Sequence, residues 1–132
     1  MLSDLFFQIA SLKSLPRSGW KVNLNLEKSE SVAEHSYMMS VMAMILSDIK
    51  NLDTEKIIKM SILHDWAESK IGDFLPNEIA FDKKTELEEY AMAEILDDLP
   101  TKIKDDYYNI WNSAHSNKTL ANAGHQHSFL KK

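Results

Sequence analysis

The chain has 132 residues, a formal net charge of −5, and 44% hydrophobic and 27% charged residues. That is one domain's length of ordinary globular composition, able to bury roughly two-thirds of its unfolded surface. The acidic balance excludes a nucleic-acid surface, which needs clustered Lys and Arg. The absence of cysteine excludes disulfide frameworks, thiolate zinc sites and thiol nucleophiles. Residues 1–17 carry no basic stretch and cleavage site of a signal peptide. No apolar run reaches the ~18 residues of a membrane span. The expectation is a cytoplasmic protein with no membrane partner.

With only three prolines, three glycines and few β-branched clusters, helix is the favoured state throughout. A first helix is predicted after Ser3 as N-cap, with Leu5, Phe6, Ile9 and Leu12 on one face, ended by Pro16 and Gly19. Residues 20–28 alternate Val22, Leu24 and Leu26, as a short extended segment or a loop. A second helix is predicted from about Ser31 to Lys50, with His35, Met39, Met42, Leu46 and Ile49 inward. A third begins at Asp53 or Thr54, carries Ile57, Met60, Ser61 and His64 on one side, and stops at Gly72. A fourth is predicted over about Lys83–Leu99, with Leu87, Tyr90, Ala91, Glu94 and Ile95 near helical spacing and Pro100 beyond it. A fifth runs from Thr101 to about Asn112. From Ser113 onward the chain is polar, weakly periodic and holds three of the five histidines, the pattern of a frayed terminus. The predicted organisation is one domain over 1–112 with an atypical tail over 113–132.

The chemistry-bearing residues cluster in two of these helices. His64 and Asp65 follow a lone His35 by 29 residues, and Glu68 and Asp73 come next. Alone, a histidine on an apolar stripe is more often a core residue than a ligand, and a His-Asp dipeptide is common. Together they put His, Asp and Glu where an apolar stripe should continue, and burying them unpaired would cost several kcal/mol each. A divalent cation bound by imidazole and carboxylate would offset that cost, with Zn, Co, Mn, Ni and Fe all suited. Nearby acids could then manage protons. Arg17 is by chemistry a bidentate phosphate ligand or simply a solvated loop cation. Met38, Met39, Met42 and Met44 read as core or dimer packing. Trp66 is expected to support the site by packing, and Glu86, Glu88 and Glu89 to form a solvated face.

Three segments make the pattern specific. Residues 12–20 run from Leu12-Lys13 through Pro16-Arg17 to Gly19-Trp20, residues 30–37 contain Ser31-Val32-Ala33-Glu34-His35, and residues 64–73 run from His64-Asp65 through Glu68 to Gly72-Asp73. Over residues 5–112 they resemble the HD-domain superfamily, most closely its 5′-deoxynucleotidase branch. The resemblance implies an all-α HD-domain helical bundle, one divalent metal ion (Co, Mn, Zn, Ni, Fe or Mg) and a homodimer. It implies hydrolysis of (deoxy)nucleoside 5′-monophosphates to nucleoside and phosphate. By the same resemblance His35, His64 and Asp65 match metal ligands, and Glu68 and Asp73 match the catalytic acids. Arg17 matches the phosphate-binding arginine.

The tail departs from that pattern. The family's fourth ligand is an aspartate that would fall near Phe129, yet no Asp or Glu follows Asp106. The C-terminal part is therefore expected to be truncated or altered relative to the family, with His125 or His127, a water, or a partner's side chain as alternatives for the vacant position. Two alternatives to the monophosphatase reading stand beside it. One is another HD phosphohydrolase acting on nucleoside triphosphates or signalling nucleotides; the other is a non-catalytic dimerising remnant with an incomplete metal site.

Overall fold

The computed structural model describes residues 1–17, 30–72 and 80–122, with the side chains of Phe81 and of residues 115–122 left aside. Within them the chain is all-α, as the periodicity requires. Its helices are α1 (Leu2–Ala10), a one-turn 3-10 helix (Ser11–Ser14), α2 (Val32–Ile49), α3 (Thr54–Leu63), α4 (Glu68–Ile71), α5 (Phe81–Leu96) and α6 (Thr101–Asn122). The expectations for residues 18–29, including Gly19 and Trp20, for Asp73 and Pro76, and for His125 and His127 lie outside the described residues. Among the described residues no helix is long and apolar enough to cross a membrane.

Local chemistry sets the boundaries. Ser31 caps α2: its hydroxyl accepts from the Glu34 N–H at 3.1 Å while Glu34 Oε1 accepts from the Ser31 N–H at 3.0 Å, a reciprocal capping box. Asp53 caps α3 by accepting from the Lys56 N–H at 3.2 Å. Between α2 and α3, Asn51 takes the left-handed conformation with φ 55°, which asparagine tolerates. Gly72 ends α4 at φ 82°, where a side chain would be strained.

The core is built where α3, α5 and α6 meet beneath α1. Leu5, Met60, Leu63, Met92, Leu96 and Trp111 are its main buried side chains. Trp66 packs edge-on against Tyr107 of α6 with ring centroids 6.2 Å apart, the supporting role expected of it.

Several element-level expectations are corrected. α1 begins at Leu2 rather than after Ser3, and passes into the 3-10 turn after Ala10, well before Pro16. Its face is narrower than predicted: Leu5 and Leu12 are buried, but Phe6 is 63% exposed. On α2 the buried positions are Val32, Ala43 and Ser47, whereas Met42, Leu46 and Ile49 are exposed. Small side chains let α3 approach closely there, and Ser47 is buried because its hydroxyl donates back to the Ala43 carbonyl at 2.6 Å. Of the methionines assigned to packing, Met38, Met42 and Met44 are exposed in the single chain.

The predicted single helix up to Gly72 is interrupted by a turn at residues 64–67. On α5, Tyr90 and Glu94 face out while Met92 and Leu96 face in, and Glu88 is buried rather than solvated. α6 continues to Asn122, past the expected end at Asn112 and through part of the segment expected to fray, with Ala114 buried on it. This 22-residue helix is anchored through the buried Ile110, Trp111 and Ala114, packing that stabilises a helix more than propensity does.

Leu12 and Phe6 separate the two accounts of α1. Leu12→Ala should lower the unfolding free energy by about 2–5 kcal/mol, and Phe6→Ala should change it by less than about 0.5 kcal/mol. Urea titration of both variants checks the assignment, and equal losses would restore the broader face. Ser61 offers a second measurement. Its buried hydroxyl has no hydrogen-bond partner among the described residues, so Ser61→Ala should leave stability unchanged or raise it by about 1 kcal/mol.

Candidate functional site

Four stretches of chain converge at one end of the α2–α3 pair. The first two are extended. Residues 15–17 run antiparallel to residues 30–32, with a bridge at Pro16 and Ser31. The Arg17 N–H donates to the Glu30 carbonyl at 3.0 Å, and the Val32 N–H donates to the Leu15 carbonyl at 2.8 Å. This clamp sets Arg17 beside the first turn of α2, where Arg17 Nη1 lies 2.9 Å from His35 Nδ1 and 3.2 Å from Glu30 Oε1.

The third stretch is α2 itself, which supplies His35 and Ser36. The fourth is the turn at residues 64–67. There the helical bonds tighten: the N–H groups of Trp66, Glu68, Ser69 and Lys70 donate to carbonyls three residues back at 3.0–3.1 Å. Tighter winding leaves Asp65 buried at 6% exposure, with His64 only partly covered. It also interrupts the helix that was expected to run on to Gly72.

The side chains interlock. His64 Nδ1 lies 2.8 Å from Asp65 Oδ1. The carboxylate accepts, so Nδ1 carries the ring hydrogen and Nε2 keeps its lone pair. Asp65 Oδ2 accepts from the Ser36 hydroxyl at 3.4 Å and stands 4.0 Å from His35 Nε2. Burial first, and the Arg17 guanidinium second, hold His35 below its ordinary value of 6.5. The ring is therefore neutral near pH 7, the form that can donate a lone pair.

Glu68 opens α4, and that one-turn helix is tied on two sides. Gln8 Nε2 donates to the Ser69 carbonyl at 2.8 Å, and Lys70 pairs with Glu94 of α5 at 3.1 Å. An apolar groove of about 580 Å³ runs between α1, α2 and α3, lined by Leu12, Tyr37, Val41, Met44, Ile62 and Trp66, and Ser36 forms part of its wall.

The structure thus brings Arg17, His35, His64 and Asp65 together and sets Glu68 one turn beyond. Two neighbours were not singled out from sequence, Glu30 and Ser36. Their signal is adjacency: an acid directly before the capping serine, and a hydroxyl directly after His35.

Comparison with known proteins places this arrangement. A family model described as HD domain matches residues 9–128.

The chain belongs to the HD-domain family.

The HD-domain chain is 39% identical over 123 residues to the 5′-deoxynucleotidase HDDC2 of Dictyostelium discoideum, covering 86% of this chain and 64% of that one. It is 36% identical over 104 residues to the human 5′-deoxynucleotidase HDDC2, covering 78% and 50%. It therefore spans about half to two-thirds of the length of these curated relatives. Among solved structures, a conserved hypothetical protein from Pyrococcus furiosus superposes with a TM-score of 0.75 at 27% identity, over 98% of this chain and 72% of that one. A predicted metal-dependent phosphohydrolase from Magnetospirillum magnetotacticum shares the fold with a TM-score of 0.72 at 24% identity, over 88% and 58%.

HD-domain membership implies a divalent metal ion. The donors here, two imidazoles and a carboxylate, fit such an ion in kind, and each ring keeps a nitrogen directed away from its partner or toward Asp65. Among the described residues no group of three His, Asp or Glu side chains stands in a closed coordinating array. His35 Nε2 and Asp65 Oδ2, 4.0 Å apart, would be two of the atoms that hold the ion.

The lowered affinity of His35 for protons has a measurable sign in the metal-free protein. With the folded value below 6.5, the unfolded chain binds more protons, so stability is full above 6.5 and falls as pH drops from there through the folded value. Urea midpoints in the presence of chelator should decline on acidification from pH 7, and His35→Gln should flatten that part of the profile. An unchanged slope in the variant would assign the acid sensitivity elsewhere.

Proposed function

We propose that this HD-domain chain is a metal-dependent phosphohydrolase that converts (deoxy)nucleoside 5′-monophosphates to nucleoside and inorganic phosphate. The observation that carries the reading is the convergence of Arg17, His35, His64 and Asp65, linked by contacts of 2.8–4.0 Å. The curated relatives named 5′-deoxynucleotidase support the choice of substrate.

His35, His64 and Asp65 would hold the ion. When bound, a divalent ion polarises a phosphoryl oxygen and makes water acidic enough to attack near neutral pH. The chain's own residues do the rest. Arg17 offers a planar fork for two phosphate oxygens and offsets the substrate's charge. Glu68 takes the proton from the attacking water, and Asp73 assists proton transfer toward the leaving 5′ oxygen. Ser36 and His64 fix the Asp65 carboxylate from two sides, so its orientation is set before substrate arrives. The apolar groove beside Ser36 accommodates the base. This reading includes a cytoplasmic location, which suits a nucleotide substrate. It also includes a homodimer, supported by the apolar side chains left exposed along α2, among them Met38, Met42, Ile45 and Ile49.

The experiment is phosphate release from a panel of nucleoside mono- and triphosphates, run with protein reconstituted with Co²⁺, Mn²⁺ or Zn²⁺ and with a chelated control. Metal-dependent release from monophosphates alone is expected. Release from triphosphates would move the substrate class, and no release with metal bound would leave a non-catalytic HD domain.

Glu68→Gln should lower turnover by roughly 10²–10⁴-fold with metal content intact. Loss of metal in that folded variant would instead make Glu68 a ligand.

A further inference from the structure

The contact between Arg17 and His35 conflicts with the metal-holding role of His35, and Glu30 stands where it can resolve the conflict. A guanidinium has only N–H groups and no acceptor. At 2.9 Å from Arg17 Nη1, His35 Nδ1 must therefore be the accepting nitrogen, which puts the ring hydrogen on Nε2. That nitrogen faces Asp65 Oδ2 at 4.0 Å, so the ring presents an N–H where an ion needs a lone pair. For His35 to bind an ion through Nε2, its hydrogen must sit on Nδ1, and an Nδ1–H cannot face an Arg17 N–H. Glu30 Oε1 already lies 3.6 Å from His35 Nδ1 and 3.2 Å from Arg17 Nη1. One carboxylate oxygen stands within reach of both competitors.

We propose that Glu30 is the positioning residue that readies His35 for the ion, accepting the His35 Nδ1–H in the loaded state while Arg17 leaves Nδ1 and turns to the phosphate. The inference rests on the reading of His35 as a ligand. The proton count of the ring does not change: one hydrogen leaves Nε2 for solvent and one is taken up at Nδ1. Loading and the Arg17–His35 contact are then mutually exclusive. The arginine meant for substrate is sequestered until the ion is in place, and it remains beside Glu30, so it has only a short distance to move.

The test reads binding and tautomer, not turnover. Co²⁺ affinity is measured by calorimetric titration for the unmodified chain and for Glu30→Gln, Arg17→Met and Glu34→Gln. Removing an outer partner of a ligating histidine weakens binding by about 10–100-fold, and that loss is expected in Glu30→Gln. Arg17→Met should bind as tightly as the unmodified chain or more tightly, because the competitor for Nδ1 is gone. Glu34→Gln removes the same charge nearby without touching His35, and should bind nearly as the unmodified chain does.

An equal loss in Glu34→Gln and Glu30→Gln would reduce the effect to charge alone and overturn the inference, as would unchanged affinity in Glu30→Gln. Ring nitrogen shifts of His35 supply a readout that needs no variant: hydrogen on Nε2 in the metal-free chain, and on Nδ1 after Zn²⁺ is added. Hydrogen on Nδ1 in both states would also overturn it. If the unmodified chain binds neither Co²⁺ nor Zn²⁺, the ligand reading itself fails. Binding with no response to Glu30 defeats the positioning role alone.

Discussion

The antiparallel pairing of residues 15–17 with residues 30–32 is the constraint on which the site depends. Two backbone bonds, from Arg17 to Glu30 and from Val32 to Leu15, fix where α2 starts. Ser31 lies at the bridge and also caps that helix. One residue therefore sets both the strand-like register and the helical phase. A shift of one residue would turn the Arg17 side chain to the opposite side of the pairing and break its contact with His35. Backbone bonds are suited to this task because they hold whatever the charge state of the side chains above them.

The other half of the site depends on a departure from regular helix. A regular α-helix through residues 60–72 would set successive side chains about 100° apart and continue α3 unbroken. The tightened turn at 64–67 interrupts it, with Asp65 buried, His64 half-open, and Leu63 and Ala67 buried on either side. It also restarts the chain as α4, tied to α1 through Gln8 and to α5 through Lys70. Glu68 thus stands on a short element braced from outside, so its position relative to Asp65 follows from three helices together rather than from one.

Much of this was legible in the sequence, and the failures have physical reasons. The all-α class, the ends of α2 near Ser31 and Lys50, and the start of α3 at Asp53 or Thr54 could be read because capping chemistry is local. The grouping of His35 with His64 and Asp65 came from motif spacing, since periodicity alone would have left His35 in the core. Buried faces were read less well. The rule that large apolar residues point inward failed on α2, where close approach to α3 selects Ala43 and Ser47 and leaves the methionines out. It failed on α1 at Phe6, which stands 63% exposed. The burial of Glu88 and of Ala114 beyond Asn112 comes from packing between elements, which a helical pattern does not record. Glu30 was passed over because its contacts with Arg17 and His35 come from the pairing of two chain stretches and leave no mark in helical spacing.

The clamp has a consequence for the order in which the molecule can assemble. Arg17 and Glu30 are separated by 13 residues, Arg17 and His35 by 18, and Ser36 and Asp65 by 29. Each is a short loop to close, and closure entropy rises only slowly with length. These pairings gather the candidate ligands by local connectivity, whereas the brace from Gln8 to Ser69 and the seating of α6 on α3 join segments farther apart. The ligand-gathering contacts are thus those of low contact order. By topology, the docking of the hydrophobic floor carried by Trp111 closes longer loops than the pairings that gather Arg17, His35 and Asp65.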